Sequence, residues 1–351
     1  MSVPSDNGAG LRSSLLAVAL VAVVVTAGCS SVPGMGGNGG GGAGPALDTV
    51  PEGSTAVFHA DVNGALNDDS MRTALNGTVT MAAGPADVGG TTSLDDMLRE
   101  IENNTGLDMT AMHGVTAFSK SAAAVSGPTT TEYSAAVLAT DWSEDEFIGA
   151  LRQNTDADVS ASEYAGQTVY TAPAEESWVG VIGDGRFVVG SERAVKDAMD
   201  VSAGDASAFD NDVRSAFEST SEGHLRYAAS VPQDELNASD VDTQYSTAVF
   251  DQVSTVSGSL TTVSGGNLSM TATMAFESRS AATDAQEVID GAIALSRESS
   301  NDSITERLLS ANRLSVTLDG TEVTVTATNE PGTYVTLFRT FFLLGGVSTP
   351  V

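Results

Sequence analysis

Four glycine-bearing turn signals, each set between runs that read as strands, constrain this chain more than any other feature. Ala165-Gly166 separates Val159–Tyr164 from Gln167–Thr171, and Asp184-Gly185 separates Trp178–Ile182 from Arg186–Val189. Ser264-Gly265-Gly266 lies between Val253–Val263 and Leu268–Phe276, and Asp319-Gly320 between Leu314–Leu318 and Val323–Ala327. Glycine supplies the positive φ that tight hairpins need, so Gly166, Gly185 and Gly320 are expected in that conformation. Leu268, Met270, Ala272, Met274 and Phe276 recur with the period of a strand that buries one face. Strands joined by such short turns pair antiparallel, because a parallel pair needs a long crossover.

Helix-opening signals alternate with these hairpins. Ser93-Leu94-Asp95-Asp96 and Ser143-Glu144-Asp145-Glu146 have capping-box spacing, and Ser191 precedes a helical stretch running to about Val201. A further helix carries Val288, Ile289, Ala292, Ile293 and Leu295. Thr55–Asp61, Gly114–Ser119 and Tyr133–Thr140 read as buried strands. His224–Val231 resembles the Thr55 strand, and the order of elements after it repeats that of the first half. The expected fold is therefore α+β: two related units of antiparallel sheet with helices packed on one face, the other face staying hydrated where it is rich in Thr. The units span 49–204 and 205–351 and join near Ser202–Asp212. The second ends in an unusually apolar segment, Tyr334–Gly345, read as a piece that closes the core or meets a membrane or partner.

The N-terminus carries a different kind of information. Arg12 precedes the apolar run Leu15–Val25, which ends in Thr26-Ala27-Gly28-Cys29. The run falls short of the roughly 20 residues that span a bilayer comfortably, and small residues follow it as at a cleavage site. These residues resemble the signal and lipobox of prokaryotic lipoproteins. The resemblance implies a signal peptide over 1–28, cleavage before Cys29 and a lipid on its thiol, which would hold the mature chain at the outer face of the cell membrane. Cys29 is the only cysteine. Residues 29–48 then form a glycine-rich tether. Gly34, Gly36 and Gly39 match a dinucleotide-loop spacing by chance, with no strand before them and no helix after.

Charge narrows the partners. With 46 acidic and 15 basic residues the net charge is −31, which excludes a nucleic-acid binder. The acids are scattered, and only Lys120 and Lys196 are lysines. Dispersed carboxylates with few lysine stems suit a surface hydrated in concentrated salt. In composition and architecture the chain is similar to haloarchaeal surface lipoproteins, a resemblance that brings no site residues with it.

No motif for nucleophilic catalysis, phosphate binding or a cofactor occurs. His59, His113 and His224 are far apart in sequence and lack metal-ligand spacing. Asp141, Glu144, Asp145 and Glu146 lack the calcium-loop pattern, and acids at a helix start favour its dipole; Asp95 with Asp96 and Asp210 with Asp212 read the same way. Asn76, Asn103, Asn237, Asn267 and Asn301 head N-x-S/T acceptor sequons. The expected role is a lipid-anchored envelope protein that binds an envelope partner or small ligand, with no catalytic residues, metal or cofactor. A solute-binding or lipid-carrying lipoprotein and, behind these, an extracellular hydrolase are the alternatives.

Overall fold

The computed structural model describes residues 44–83, 93–120, 133–155, 158–172, 177–231, 251–298 and 314–335. The segment expected as a signal peptide, Cys29, most of the segment expected as a tether, Asn237, Asn301 and the apolar segment from residue 336 onward lie outside the described residues. Strands β1 (Ala56–Asp61), β2 (Met112–Ser119), β3 (Ser134–Thr140), β4 (Ser160–Tyr164), β5 (Gln167–Ala172) and β6 (Ser177–Gly183) come first. They are followed by β7 (Arg186–Gly190), β8 (Leu225–Ser230), β9 (Val253–Val263), β10 (Asn267–Phe276), β11 (Leu314–Asp319) and β12 (Glu322–Asn329). All belong to one twelve-stranded sheet in the order β11-β12-β10-β9-β8-β1-β2-β3-β7-β6-β5-β4. Every pairing between these strands is antiparallel.

The two units meet inside this sheet. β1 and β8 pair at its centre with Phe58 opposite Tyr227. Outward from that seam each half places its second and third strands, then the last strand of its closing meander, β7 or β12. The first half adds the four-stranded run β4–β7 where the second has the hairpin β11–β12. The shared order of elements thus becomes a near two-fold arrangement about the Phe58–Tyr227 pair.

The expected turns form. Gly166, Gly185 and Gly320 have φ of 72°, 64° and 60°, and Gly265 and Gly266 have 87° and 75°. Ala165 is forced to φ 48°, a strained value for a side chain with a Cβ.

The helices are α1 (Val62–Asn67), α2 (Asp69–Ala83), α3 (Leu94–Thr105), α4 (Glu144–Asn154), α5 (Glu192–Ala203), α6 (Asp212–Ser219) and α7 (Arg279–Glu298). α4 opens with a complete capping box: Ser143 Oγ accepts from the Glu146 amide and the Glu146 carboxylate accepts from the Ser143 amide. α3 has half of one, since the Asp96 side chain accepts from the Ser93 hydroxyl instead of the backbone. Ser191 sits at the N-cap of α5 without capping it; its hydroxyl pairs with the backbone of Ser134 and ties the helix start to β3.

The expected α+β fold of antiparallel strands forms, with its helices spread over both faces of the sheet where one was expected. β3 sends Ala135 and Val137 to one cluster and Ala136 and Leu138 to another, so both faces of the central strands are apolar and both need cover. On the front face, α5, α6 and a 3-10 turn at Leu47–Thr49 enclose Val57, Phe118, Val137, Val188, Met199, Phe209 and Phe217. On the back, α3 and α4 enclose Val115, Leu138, Phe147 and Phe187, with the Phe147 and Phe187 rings 4.4 Å apart. Farther along the back, α2 covers Leu260 and Leu268, while α7 covers Phe276 and Val323 through Ala281, Ala282 and Ala285. Each large side chain so buried stabilises the fold by about 1.5–3 kcal/mol. Tyr334, in the helical residues 331–335, is fully buried against the back and donates to the Leu268 and Ala327 carbonyls.

Candidate functional site

The three histidines do not converge. His59, in β1, is 4% exposed with Nδ1 3.1 Å from Thr116 Oγ1, which accepts from the Ala46 amide. Burial, reinforced by the Arg226 charge, pushes His59 down to about 4. Arg226, opposite it on β8, donates to Thr220 Oγ1 and the Phe217 carbonyl and lies over the Phe217 ring. It therefore satisfies the C-terminus of α6, where a cation is favoured. His113 occupies the bulge between Met112 and Gly114 in β2, with Nε2 2.8 Å from the Asp141 carboxylate. His224 is buried with Nε2 3.2 Å from Thr262 Oγ1; burial lowers its pKa against the raising effect of Asp68 and Asp61. Among the described residues no three His, Cys, Asp or Glu side chains are grouped to hold a metal.

The acidic clusters are likewise dispersed by their bonds. Glu146 closes the capping box, Glu144 accepts from the Tyr170 hydroxyl at 2.6 Å, and Asp141 meets His113. Asp212 lies in the first turn of α6, but the cap is the neighbouring Asn211, which the sequence reading passed over. Asp95, Glu102 and Asp108 line an open groove of about 370 Å³ with Leu98, Arg99, Met109 and Thr110. Arg72 pairs with Asp95 there, and Asp108 accepts from the Thr110 amide and hydroxyl. Both lysines serve packing: Lys120 lies 4.2 Å from the Tyr133 ring centre and Lys196 4.6 Å from that of Trp178.

The front face of the second half is hydroxylic instead of apolar, and its β9 residues and Ser269 are buried. Strand alternation puts Thr255, Ser257, Ser259 and Thr261 of β9 on this face. Their partners on β10 are Ser269, Thr271 and Thr273, and those on β12 are Thr324, Thr326 and Thr328. Ser315 and Thr317 of β11 complete the outer edge. One row runs straight across seven strands as Thr116, His59, Arg226, Ser259, Thr271, Thr326 and Ser315. Cross-strand hydroxyl pairs form at Ser269–Thr328, 2.6 Å, and Thr273–Thr324, 3.0 Å. Ser259 is 2% exposed and lies opposite Thr271, and both hydroxyls are buried without a hydrogen-bond partner. A buried hydroxyl left unpaired costs about 1–3 kcal/mol. The described helices on the back of this half have no counterpart over the front of β10–β12; α6 reaches only β1, β8 and β9 among these strands.

Three sequons fall within the described residues. Asn76 is on α2, with Oδ1 accepting from the Leu94 amide at 2.9 Å. Asn103 is exposed near the end of α3. Asn267 begins β10, on the same face as the hydroxyls. The hydroxyl lattice was legible as a second alternation, Thr255-x-Ser257-x-Ser259-x-Thr261, lying between the apolar residues that drew the strand assignment. Comparison of the chain with protein-family models, curated proteins and solved structures finds no match.

Proposed function

We propose that the chain is a lipid-anchored protein of the outer face of the cell membrane that acts as a binding module, through the hydroxyls that reach solvent on the front of β10–β12. The observation that carries this reading is a hydrogen-bonding face of Ser and Thr side chains whose acids, Asp319 and Glu322, are confined to the turn end, on a chain of net charge −31. Contacts made by neutral hydroxyls keep their strength in concentrated salt, where exposed ion pairs are screened within a few ångströms. The lipobox-like Thr26-Ala27-Gly28-Cys29 supports attachment through Cys29. The tether then enters the body on the front face, where Leu47 and Val50 pack beside α5 and Asp48 pairs with Arg214. All-antiparallel pairing suits such a module better than the two parallel-sheet lobes of a solute-binding lipoprotein.

The test uses the single cysteine. With Cys29 committed to lipid, Thr317→Cys on β11 and Ser162→Cys on β4 each introduce one free thiol at an exposed position. In intact cells at molar salt, a thiol-anchored crosslinker at Thr317 should give one defined product and none at Ser162. Equal capture from both positions, or from neither, refutes the binding face. Cys29→Ser should release the chain from the membrane fraction or block its processing; unchanged retention with normal processing refutes the anchor.

A further inference from the structure

We infer that β11 is a pairing edge for a second copy of this chain, joining two molecules through an antiparallel β11–β11 ladder centred on Val316. The inference goes beyond the proposed binding role and does not depend on it. β11 ends the twelve-stranded sheet, and its register with β12 runs without a bulge from Leu314 to Asp319. An edge strand leaves alternate backbone N–H and C=O groups without a ladder partner.

The turn decides which groups these are. Gly320, at φ 60°, and Thr321 form a two-residue loop between the paired residues Asp319 and Glu322. Such a loop closes on a hydrogen-bonded pair, so Asp319, Thr317 and Ser315 turn their backbone groups toward β12. The Thr321 carbonyl, just before β12, accepts from the Phe276 amide of β10, which fixes the same alternation from the other side. Leu314, Val316 and Leu318 therefore direct their N–H and C=O groups outward from the sheet.

A two-fold axis at Val316 satisfies all of these groups. Val316 then faces Val316 of the second copy and Leu314 faces Leu318 of the second copy, each pair exchanging both bonds. Centring the pair on Ser315 or on Thr317 instead leaves Leu318 or Leu314 opposite no residue of the strand. The side chains carry the same symmetry. Leu314, Val316 and Leu318 are half-buried on the back, where Val316 and Leu318 pack into the cluster under α7. On the front, exposed Ser315 meets exposed Thr317 of the second copy. Like thus meets like on both faces, as an isologous contact requires. β11 contains no lysine, proline or bulge to guard it, and its one acid, Asp319, lies beyond the paired span. β4, at the opposite edge, differs. Ser160, Ala161, Ser162 and Glu163 are all exposed, so that strand has no buried face to extend, and Glu163 puts a charge into its pairing register. Two chains of net charge −31 repel each other in dilute salt, whereas molar salt confines that repulsion to about 3 Å. Pairing should therefore strengthen as salt rises.

Two full-length chains with different tags, one Ser315→Cys and the other Thr317→Cys, are expressed together in a host that exports them and oxidised at about 3 M NaCl. Across the seam these positions form a non-hydrogen-bonded pair with Cα atoms about 4.5 Å apart, within disulfide reach. The expected product is a dimer carrying both tags, its bridge mapped by peptide mass to positions 315 and 317. Either variant alone sets its two thiols diagonally, with Cα atoms about 7–8 Å apart, and should bridge much less. By light scattering in detergent, the wild-type chain should pass from monomer to dimer between ~0.1 M and ~3 M NaCl. Val316→Pro removes an outward N–H and no bond to β12, so it should fold and stay monomeric at the higher salt. A wild-type monomer at every salt, no mixed bridge, equal bridging by the single variants, or a dimer that persists in Val316→Pro overturns the seam. None of these results touches the proposed binding face, whose captured partner differs in mass from a second copy.

Discussion

Acidification acts on the middle of the polar row. His59 titrates near its ordinary 6.5 in the unfolded chain but only at about 4 in the folded one, because burial and the neighbouring Arg226 disfavour its charge. Between these values the unfolded state binds more protons, so stability falls as pH falls. The loss begins below about pH 6.5, grows until about pH 4 and is fully present below that. A depression of this size corresponds to about 3 kcal/mol, a large fraction of a typical domain's stability. His59→Gln keeps a neutral hydrogen-bonding group facing Thr116 and removes the titration. At pH 7 the variant should cost about 1 kcal/mol. At pH 4 it should be the more stable chain by about 2 kcal/mol, since only the wild type carries the protonation penalty. Urea unfolding of both chains at pH 7, 5.5 and 4, at one fixed molar NaCl concentration, measures the difference. The carboxylates and His224 are common to both chains and cancel in the comparison. Parallel pH profiles for the two chains would refute the burial argument for His59.

Other consequences can be measured on the same preparations. Gly320→Ala should destabilise by about 1–2 kcal/mol, the cost of a Cβ at positive φ. Gly185→Ala should lose distinctly more, because its Cβ would also collide with the Thr140 carbonyl oxygen; equal losses in denaturant melts would refute the steric part. Tyr334→Phe should cost about 1–2 kcal/mol by leaving the Leu268 and Ala327 carbonyls without their donor, and an unchanged midpoint would argue against docking of residues 331–335. With net charge −31, the soluble body from Pro45 onward should melt at higher temperature as NaCl rises from ~0.1 M to ~3 M; a midpoint that stays put would remove the high-salt reading.

The sequence by itself determined the local structure. Glycine at Gly166, Gly185 and Gly320 fixed three hairpins because no other residue tolerates their φ at so little cost. Ser143 and Glu146 fixed a helix start because their side chains meet orphan amides only three residues away. These choices are settled within a few bonds, so they are readable without a fold. Helices α1, α2 and α6 went unseen because their apolar positions are few or interrupted by Gly, Asn and Thr and their caps, Asp61, Asp68 and Asn211, stand alone.

Tertiary structure decided what depends on partners distant in the chain. Two units of antiparallel strands could have formed two sheets; pairing of β1 with β8 made them one. Whether a strand buries one face or both is decided by which helices return to it, and so α5 and α6 closed the front of the first half. The same front becomes hydroxylic from β9 outward, where α6 is the last described helix to reach it. Register across five strands then brought Ser259 opposite Thr271 and placed Asn267 at the head of the hydroxyl rows. The β9–β10 pairs lie within one hairpin, but no stretch of sequence contains the whole row, because β8 and β12 join that hairpin from far along the chain.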